Sequence, residues 1–276
     1  MFPAIAIGAL DRYRIRAGAG NKLADIDPSD RTALPFSKPE LRAAMEADIA
    51  EIDRQQEILF AQAEYALLVV LQGMDTSGKD GTIRKVFRPI NPLGIVATSF
   101  KMPTARELAH DFLWRVHKAV PAAGMIGVFN RSHYEDVVAA RVRGLILPER
   151  IEARYDQINA FERHLVENGV TILKFFLHIS KHEQKVRLQA RLEDPTKRWK
   201  FSPDDVAERK RWKEYLAAYR IAFERCGTAW APWFIVPSER KWYRDAVIAR
   251  IVRSTLDALD LTYPSGLPGL NKLRIR

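Results

Sequence analysis

A single cysteine, Cys226, stands in the 276 residues, so the chain has no internal disulfide framework, a usage that fits a reducing compartment. Long apolar runs are missing as well. The longest, Tyr65 to Leu71, has seven residues, against the roughly 20 that a bilayer-spanning helix needs. The opening MFPAIAIGALDR carries no basic residue ahead of its apolar stretch and no convincing cleavage site, and it reads as mature chain. There is no internal repeat and no low-complexity linker, which leaves one domain over 1–276 as the economical reading. Acidic residues are in deficit: 34 Asp+Glu face 44 Lys+Arg, giving a formal charge of +10 and a pI near 9.7. That excess favours a polyanionic partner, whether nucleic acid, an acidic membrane face or a phosphorylated substrate, and composition does not choose among them. A hydrophobic share of 47% with 28% charged residues excludes a disordered or collagen-like chain.

Residues 1–36 read as irregular, broken by Gly18, Gly20, Pro28 and Pro35. Ser37, with Glu40 three positions on, has the form of a capping box. Leu41, Met45, Ile49, Ile52 and Leu59 then recur at helical spacing to about Gln62, with Glu46, Asp48, Glu51 and Asp53 on the opposite face. Short apolar runs follow at 65–72, 94–101, 124–132, 170–180 and 231–238. Between them lie helical stretches over 79–88, 104–119 and 148–168, and a long charged region from 181 to 225. Two-sided apolar strands alternating with helices predict a parallel five-stranded sheet covered on both faces, preceded by an N-terminal extension and helix over 1–63. Gly18-Ala19-Gly20 follows no strand and is therefore not a dinucleotide fingerprint.

The segment Gly73-Met74-Asp75-Thr76-Ser77-Gly78-Lys79-Asp80-Gly81 carries the strongest signal. Glycine, four residues, then Gly-Lys is the skeleton of a phosphate-binding loop, here placed after a buried strand and before a helix. The spacing lets successive backbone N–H groups point inward, adds the positive end of the helix starting at Lys79, and brings an ammonium to phosphate oxygens. Gly73 and Gly78 supply conformations that a Cβ would obstruct. Asp80 stands where Ser or Thr normally ligates Mg²⁺. It and Asp75 would repel phosphate unless a cation lay between, so their presence argues for bound Mg²⁺.

Asn130 and Arg131 follow the third strand. Ligands of open α/β sheets bind at strand carboxyl ends, so both face the same crevice as Lys79. There a polar group holds a magnesium-bound water and a guanidinium grips phosphate oxygens. Glu135 and Asp136 are candidates to hold a second cation or a nucleotide. Asp111 and Arg115, four apart on a helix, read as a surface pair. Residues 181–213 hold eleven Lys/Arg and six Asp/Glu, with Arg191, Lys197, Arg198 and Lys200 flanking a break at Asp194-Pro195. A basic helix–turn–helix of this kind suits a lid that closes over phosphates, with Trp199 and Trp212 read as packing it. His178 and His182 lack a third ligand and read as metal-free, and Cys226 as a buried apolar side chain.

The strings GMDTSGKDG, SFKMPT, HDFLWRVH, FNRSHYEDV and DPTKRWKFSPDD, in this order and over about residues 37–240, resemble the polyphosphate kinase 2 family. The resemblance implies a P-loop kinase-like three-layer α/β fold with a helical lid over 181–225. It implies reversible, Mg²⁺-dependent transfer of the terminal phosphoryl group of inorganic polyphosphate to AMP or ADP. It further implies adenine, and by extension guanine, nucleotides as partners, homodimers or homotetramers, and the bacterial cytoplasm, with neither nucleic acid nor membrane as a partner. Carried over by position, the catalytic set is Asp75, Lys79, Arg131 and Arg191. The phosphate-binding set adds Gly73, Thr76, Ser77, Gly78, Asp80, Gly81, Lys101, Lys197 and Lys200. Arg115, Asn130, Arg131 and Glu135 form the nucleotide side, and Asp75 is the metal ligand. Many members have Asp where this chain has Asn130, and Asn-Arg where it has Glu135-Asp136. The form FNRSHYED resembles the subgroup that accepts AMP as well as ADP, and it leaves Asp75 as the principal carboxylate. An ATP-dependent kinase on the same loop and a non-catalytic polyanion- or RNA-binding protein are the alternatives.

Overall fold

The computed structural model describes residues 7–16, 22–268 and 274; the Gly18-Ala19-Gly20 segment and the first six residues lie outside them. Five strands form one sheet: β1 (Ala66–Gln72), β2 (Ile95–Ser99), β3 (Ile126–Asn130), β4 (Val170–His178) and β5 (Trp233–Pro237). Their order is β2-β3-β1-β4-β5 and every pairing is parallel. The central β1 is buried at every position, as its uninterrupted apolar run requires. Its alternate side chains serve two cores. Leu67, Val69 and Leu71 join one cluster with Ile49 and Ile52 of α1 (Lys38–Gln62) and Val247 and Ile251 of α7 (Lys241–Asp257). Ala66, Leu68 and Val70 join the other with Phe161 and Leu165 of α3 (Pro148–Glu167). Each fully buried aliphatic side chain contributes about 1.5–3 kcal/mol, which makes the sandwiched sheet the rigid base of the molecule. The result is the three-layer α/β fold read from the sequence.

The Ser37–Glu40 capping box opens α1 as expected. Asp48 is not on a solvated face: it is 2% exposed and takes Arg250 and Arg253 of α7 at 2.7 and 3.1 Å. The helix after the phosphate loop runs as one α-turn, Lys79–Thr82, and continues as a π-turn, Ile83–Phe87. The stretch 104–119 breaks into two turns, Ala105–Leu108 and Trp114–His117, and Asp111 accepts from the Leu113 amide just ahead of the second. A short helix, α2 (Val138–Arg143), and the long α7 were not read from the sequence. The charged region divides into α4 (Lys181–Glu193), α5 (Pro203–Lys210) and α6 (Trp212–Cys226), with a basic turn at Arg198–Lys200. Trp212 is buried, whereas Trp199 is 78% exposed, with only the Lys200 ammonium over its ring and an indole bond to the Thr196 carbonyl among its described contacts. The N-terminal segment is not wholly irregular. It has a 3₁₀ turn, Gly8–Tyr13, and Ile15 donates to the Trp233 carbonyl at 2.8 Å, fastening it to β5.

Candidate active site

The carboxyl ends of β1 and β3 lie side by side, with Leu71 opposite Asn130. Residues 73–78 leave β1 through a loop that closes on itself by a Ser77 N–H to Met74 carbonyl bond of 3.0 Å. Two glycines meet real constraints there. Gly73 has φ +146°, and a Cβ on it would lie 2.8 Å from the Leu177 carbonyl; Gly78 has φ +112°, and a Cβ would collide with the Arg244 guanidinium. Thr76, at φ +63°, holds a strained conformation without that excuse.

Charged side chains pin the outside of this loop. Arg187 of α4 donates to the Thr76 and Ser77 carbonyls at 3.0 and 2.9 Å, and to Ser238 and Glu239 beyond β5. Arg244 of α7, 2% exposed, donates to Ser77 O at 3.3 Å and is neutralised by Asp245, which accepts from Thr82. Gln184 holds the Asp75 carbonyl at 3.2 Å. These contacts occupy the carbonyls of Asp75, Thr76 and Ser77. Thr82 is the first residue of the helix whose N–H finds a backbone carbonyl among the described residues, and the hydroxyls of Thr76 and Ser77 are buried without a partner. Unsatisfied donors gathered at one helix start suit an anion.

The charges inside converge on Lys79. Its ammonium is buried and donates to the Gly73 and Met74 carbonyls at 2.8 and 3.3 Å. Burial, with Arg131 alongside, pulls it down to about 8, against the attraction of Asp75, Glu135 and Asp80. Arg131, itself at φ +63°, spans two carboxylates: Nη2 lies 2.6 Å from Asp75 Oδ1 and Nη1 3.1 Å from Glu135 Oε2. Glu135 chiefly, and Asp75, push the guanidinium above its ordinary value against the opposing effect of burial, so it remains a cation throughout the accessible range. Asp80 accepts from Asn130 Nδ2 at 2.8 Å and from Lys200 of the lid turn at 3.3 Å.

The structure therefore brings together Asp75, Lys79, Asp80, Asn130, Arg131, Glu135 and Lys200. Arg191 sits just behind, donating to the Lys200 carbonyl and to Asp205 at 3.2 and 3.4 Å. Lys197 does not join them; its ammonium pairs with Asp194. Arg115 is not a surface partner of Asp111: it is largely buried, donates to the Lys101 carbonyl at 2.9 Å and approaches Asp136 at 3.5 Å. Arg115 thus ties Lys101 at the end of β2 to the turn after β3. Arg187, Gln184 and Arg244 escaped the sequence reading, because helical residues that reach a loop more than a hundred positions away leave no local pattern.

Beneath the turn after β3 lies a buried ionic knot. Lys174 of β4, fully buried, donates to Glu162 of α3 at 2.5 Å, to the Tyr134 hydroxyl at 2.9 Å and to the Cys226 carbonyl at 2.9 Å. His133 lies 3.2 Å from the same carboxylate. Cys226 is buried as read, its thiol pushed up to about 12 by that burial. His178 is buried too and pulled down to about 4, which keeps it neutral.

Comparison with known proteins agrees with this geometry. The family description "Polyphosphate kinase 2 (PPK2)" matches residues 36–263. An AMP/ADP-polyphosphate phosphotransferase of Meiothermus ruber is 44% identical over 255 residues, covering 92% of this chain and 96% of the relative. An ADP-polyphosphate phosphotransferase of Rhodopseudomonas palustris is 37% identical over 273 residues, 94% of each. Among solved structures, polyphosphate kinase 2 from Arthrobacter aurescens TC1 superposes with a TM-score of 0.91 at 43% identity, covering 96% of this chain and 94% of that one. Loop, strand-end arginine, basic lid and sequence relatives agree: the chain belongs to the polyphosphate kinase 2 family.

Proposed function

We propose that the chain is a polyphosphate:nucleotide phosphotransferase that moves the terminal phosphoryl group of inorganic polyphosphate to AMP and ADP, reversibly. The observation that carries this is the cradle itself: a helix start whose first amides find no backbone carbonyl among the described residues, unpartnered Thr76 and Ser77 hydroxyls, and the cations of Lys79 and Arg131 beside them. Transfer of a phosphoryl group needs little covalent chemistry from a protein. It needs donor and acceptor oxygens in line and positive charge around the moving group. Lys79 and Arg131 supply that charge, Arg191 completes it from the lid, and Lys200 lengthens the basic track for a chain bearing about one negative charge per phosphate. Arg115, Asn130 and Glu135 lie on the acceptor side.

The residues fit a magnesium ion that arrives with phosphate. Among the described residues no three acidic, histidine or cysteine side chains gather as a self-sufficient metal cage, and Mg²⁺ is commonly held by one or two carboxylates plus substrate phosphates. Asp75 would hold it, since Arg131 takes only its Oδ1 whereas Asn130 and Lys200 take both oxygens of Asp80. When bound, the ion would neutralise charge on the phosphate oxygens. No helix among the described residues is long and apolar enough to cross a membrane; a cytoplasmic site of action and a homodimer or homotetramer complete the proposal. The deciding assay supplies AMP or ADP with polyphosphate or ATP as donor and separates ADP from ATP as products. Polyphosphate-dependent product supports the reading, and product from ATP alone replaces it with an ATP-using kinase.

A further inference from the structure

Glu135 does not stand as a free carboxylate. Its Oε2 accepts from Arg131 at 3.1 Å, and with the Gln72 amide oriented by its hydrogen-bond partners its Oε1 accepts from that amide's nitrogen at 2.9 Å. Gln72 ends β1, is fully buried, and has every hydrogen-bonding position filled. Its nitrogen also reaches the Tyr219 hydroxyl at 3.0 Å, and its oxygen accepts from the Ser132 amide and hydroxyl, each at 3.1 Å. Turned the other way, the amide would set its carbonyl against the Glu135 carboxylate, so the orientation is chosen by charge. Tyr219 comes from α6, the last helix of the 181–225 region, and its ring lies 4.6 Å from that of Phe176 in β4. A continuous chain of contacts thus runs from α6 through the end of β1 to the guanidinium that meets Asp75. Arg131 has no glycine-like freedom at φ +63°, and a strained residue persists only where its surroundings over-determine it.

We infer that Tyr219, Gln72 and Glu135 form a relay that aims Arg131 at the phosphoryl group, making Gln72 and Tyr219 positioning residues that set turnover without touching either substrate. The relay rests on Arg131 acting at the transferred group, as proposed above. Glu135 holds one arm of the guanidinium and Asp75 the other, so loosening the Glu135 side frees one arm of the fork to swing. Gln72 prevents that, since it is the donor that occupies the second oxygen of Glu135. Displacement of a catalytic cation by about 1 Å costs up to about a hundredfold in rate, while groups that bind the rest of the substrates stay in place. The effect therefore falls on kcat.

Gln72→Met, close in shape and without the amide, is expected to lower kcat about tenfold or more, with KM for polyphosphate and for the nucleotide within about twofold. The same substitution is then made in an Arg131→Lys background, where a single ammonium cannot span both carboxylates. There Gln72→Met should cost less than about twofold, because groups acting through one another are not additive. Tyr219→Phe, which keeps the ring packing, repeats the pair of measurements and carries the test if Gln72→Met does not fold. An unchanged kcat in the folded variants, equal rises in KM, or full additivity with Arg131→Lys would overturn the relay. If Arg131→Lys alone left kcat unaltered, the role of Arg131 would fall instead, and the relay with it.

Discussion

The ammonium of Lys200 lies 3.3 Å from the Asp80 carboxylate, joining the lid turn to the phosphate loop. Asp80 also accepts from Asn130 at 2.8 Å, so one carboxylate gathers lid, loop and third strand. Burial opposes its ionisation, but the bonds from Asn130 and Lys200 outweigh that and hold it below its usual range. A polyanion entering the crevice offers Lys200 a stronger partner than Asp80 does.

Lys200→Ala is expected to raise the KM for polyphosphate about tenfold, the scale of one charge-assisted hydrogen bond, with a smaller change in kcat. Steady-state kinetics with polyphosphate varied at saturating nucleotide measures this. An unchanged KM would mean that the lid lysine does not meet the donor.

Lys79→Ala should lower turnover by several orders of magnitude while circular dichroism and the melting temperature stay near those of the parent. The native protein offers a second check, since the ammonium is pulled down to about 8 in the ligand-free state. The charged form, which binds phosphate, dominates below that value and is lost above it. Accordingly kcat/KM for the donor should fall as pH rises through about 8. The corresponding limb in kcat should lie higher, because bound phosphate stabilises the cation. A profile flat to pH 10 would place the lysine outside the binding step.

Asp75→Asn should demand more Mg²⁺ for half-maximal activity, since an amide is a poorer ligand than a carboxylate for a hard cation. It also removes one partner of Arg131, so kcat falls as well. The magnesium titration separates the two effects, and a superimposable titration curve would deny Asp75 the metal.

Lys174→Met should destabilise the fold by about 3–5 kcal/mol, because it leaves the buried Glu162 carboxylate without its lysine cation, with only the Tyr134 hydroxyl and His133 beside it. Adding Glu162→Leu should recover much of that loss, since two apolar side chains leave no charge unpaired. Urea denaturation of both variants tests this. A double variant less stable than the single one would show that the ion pair itself is a net stabiliser.

Much of this molecule was legible in linear form. The five apolar runs are the five strands, the Ser37–Glu40 box opens α1, and the phosphate loop sits directly after β1. Each depends on neighbours in sequence: side chains alternating across a strand, a cap three residues from its partner, glycines where the chain must turn. The reading failed where a distant partner decided the outcome. Asp48 looks like a surface acid until Arg250 and Arg253 of α7 cover it, and Trp199 looks like packing until the lid turn leaves it in solvent.

What the sequence by itself determined is the fold class, the location of the phosphate loop and the family. Periodicity, glycine spacing and motif order are local and survive without coordinates. What only the tertiary structure decided is how the loop is held and aimed: Arg187 and Arg244 on its carbonyls, Gln72 on Glu135, and Lys200 across the crevice on Asp80. A hydrogen bond acts over about 3 Å whatever the separation along the chain, so contacts that bring residues together from opposite ends of the sequence have no spacing from which to be read.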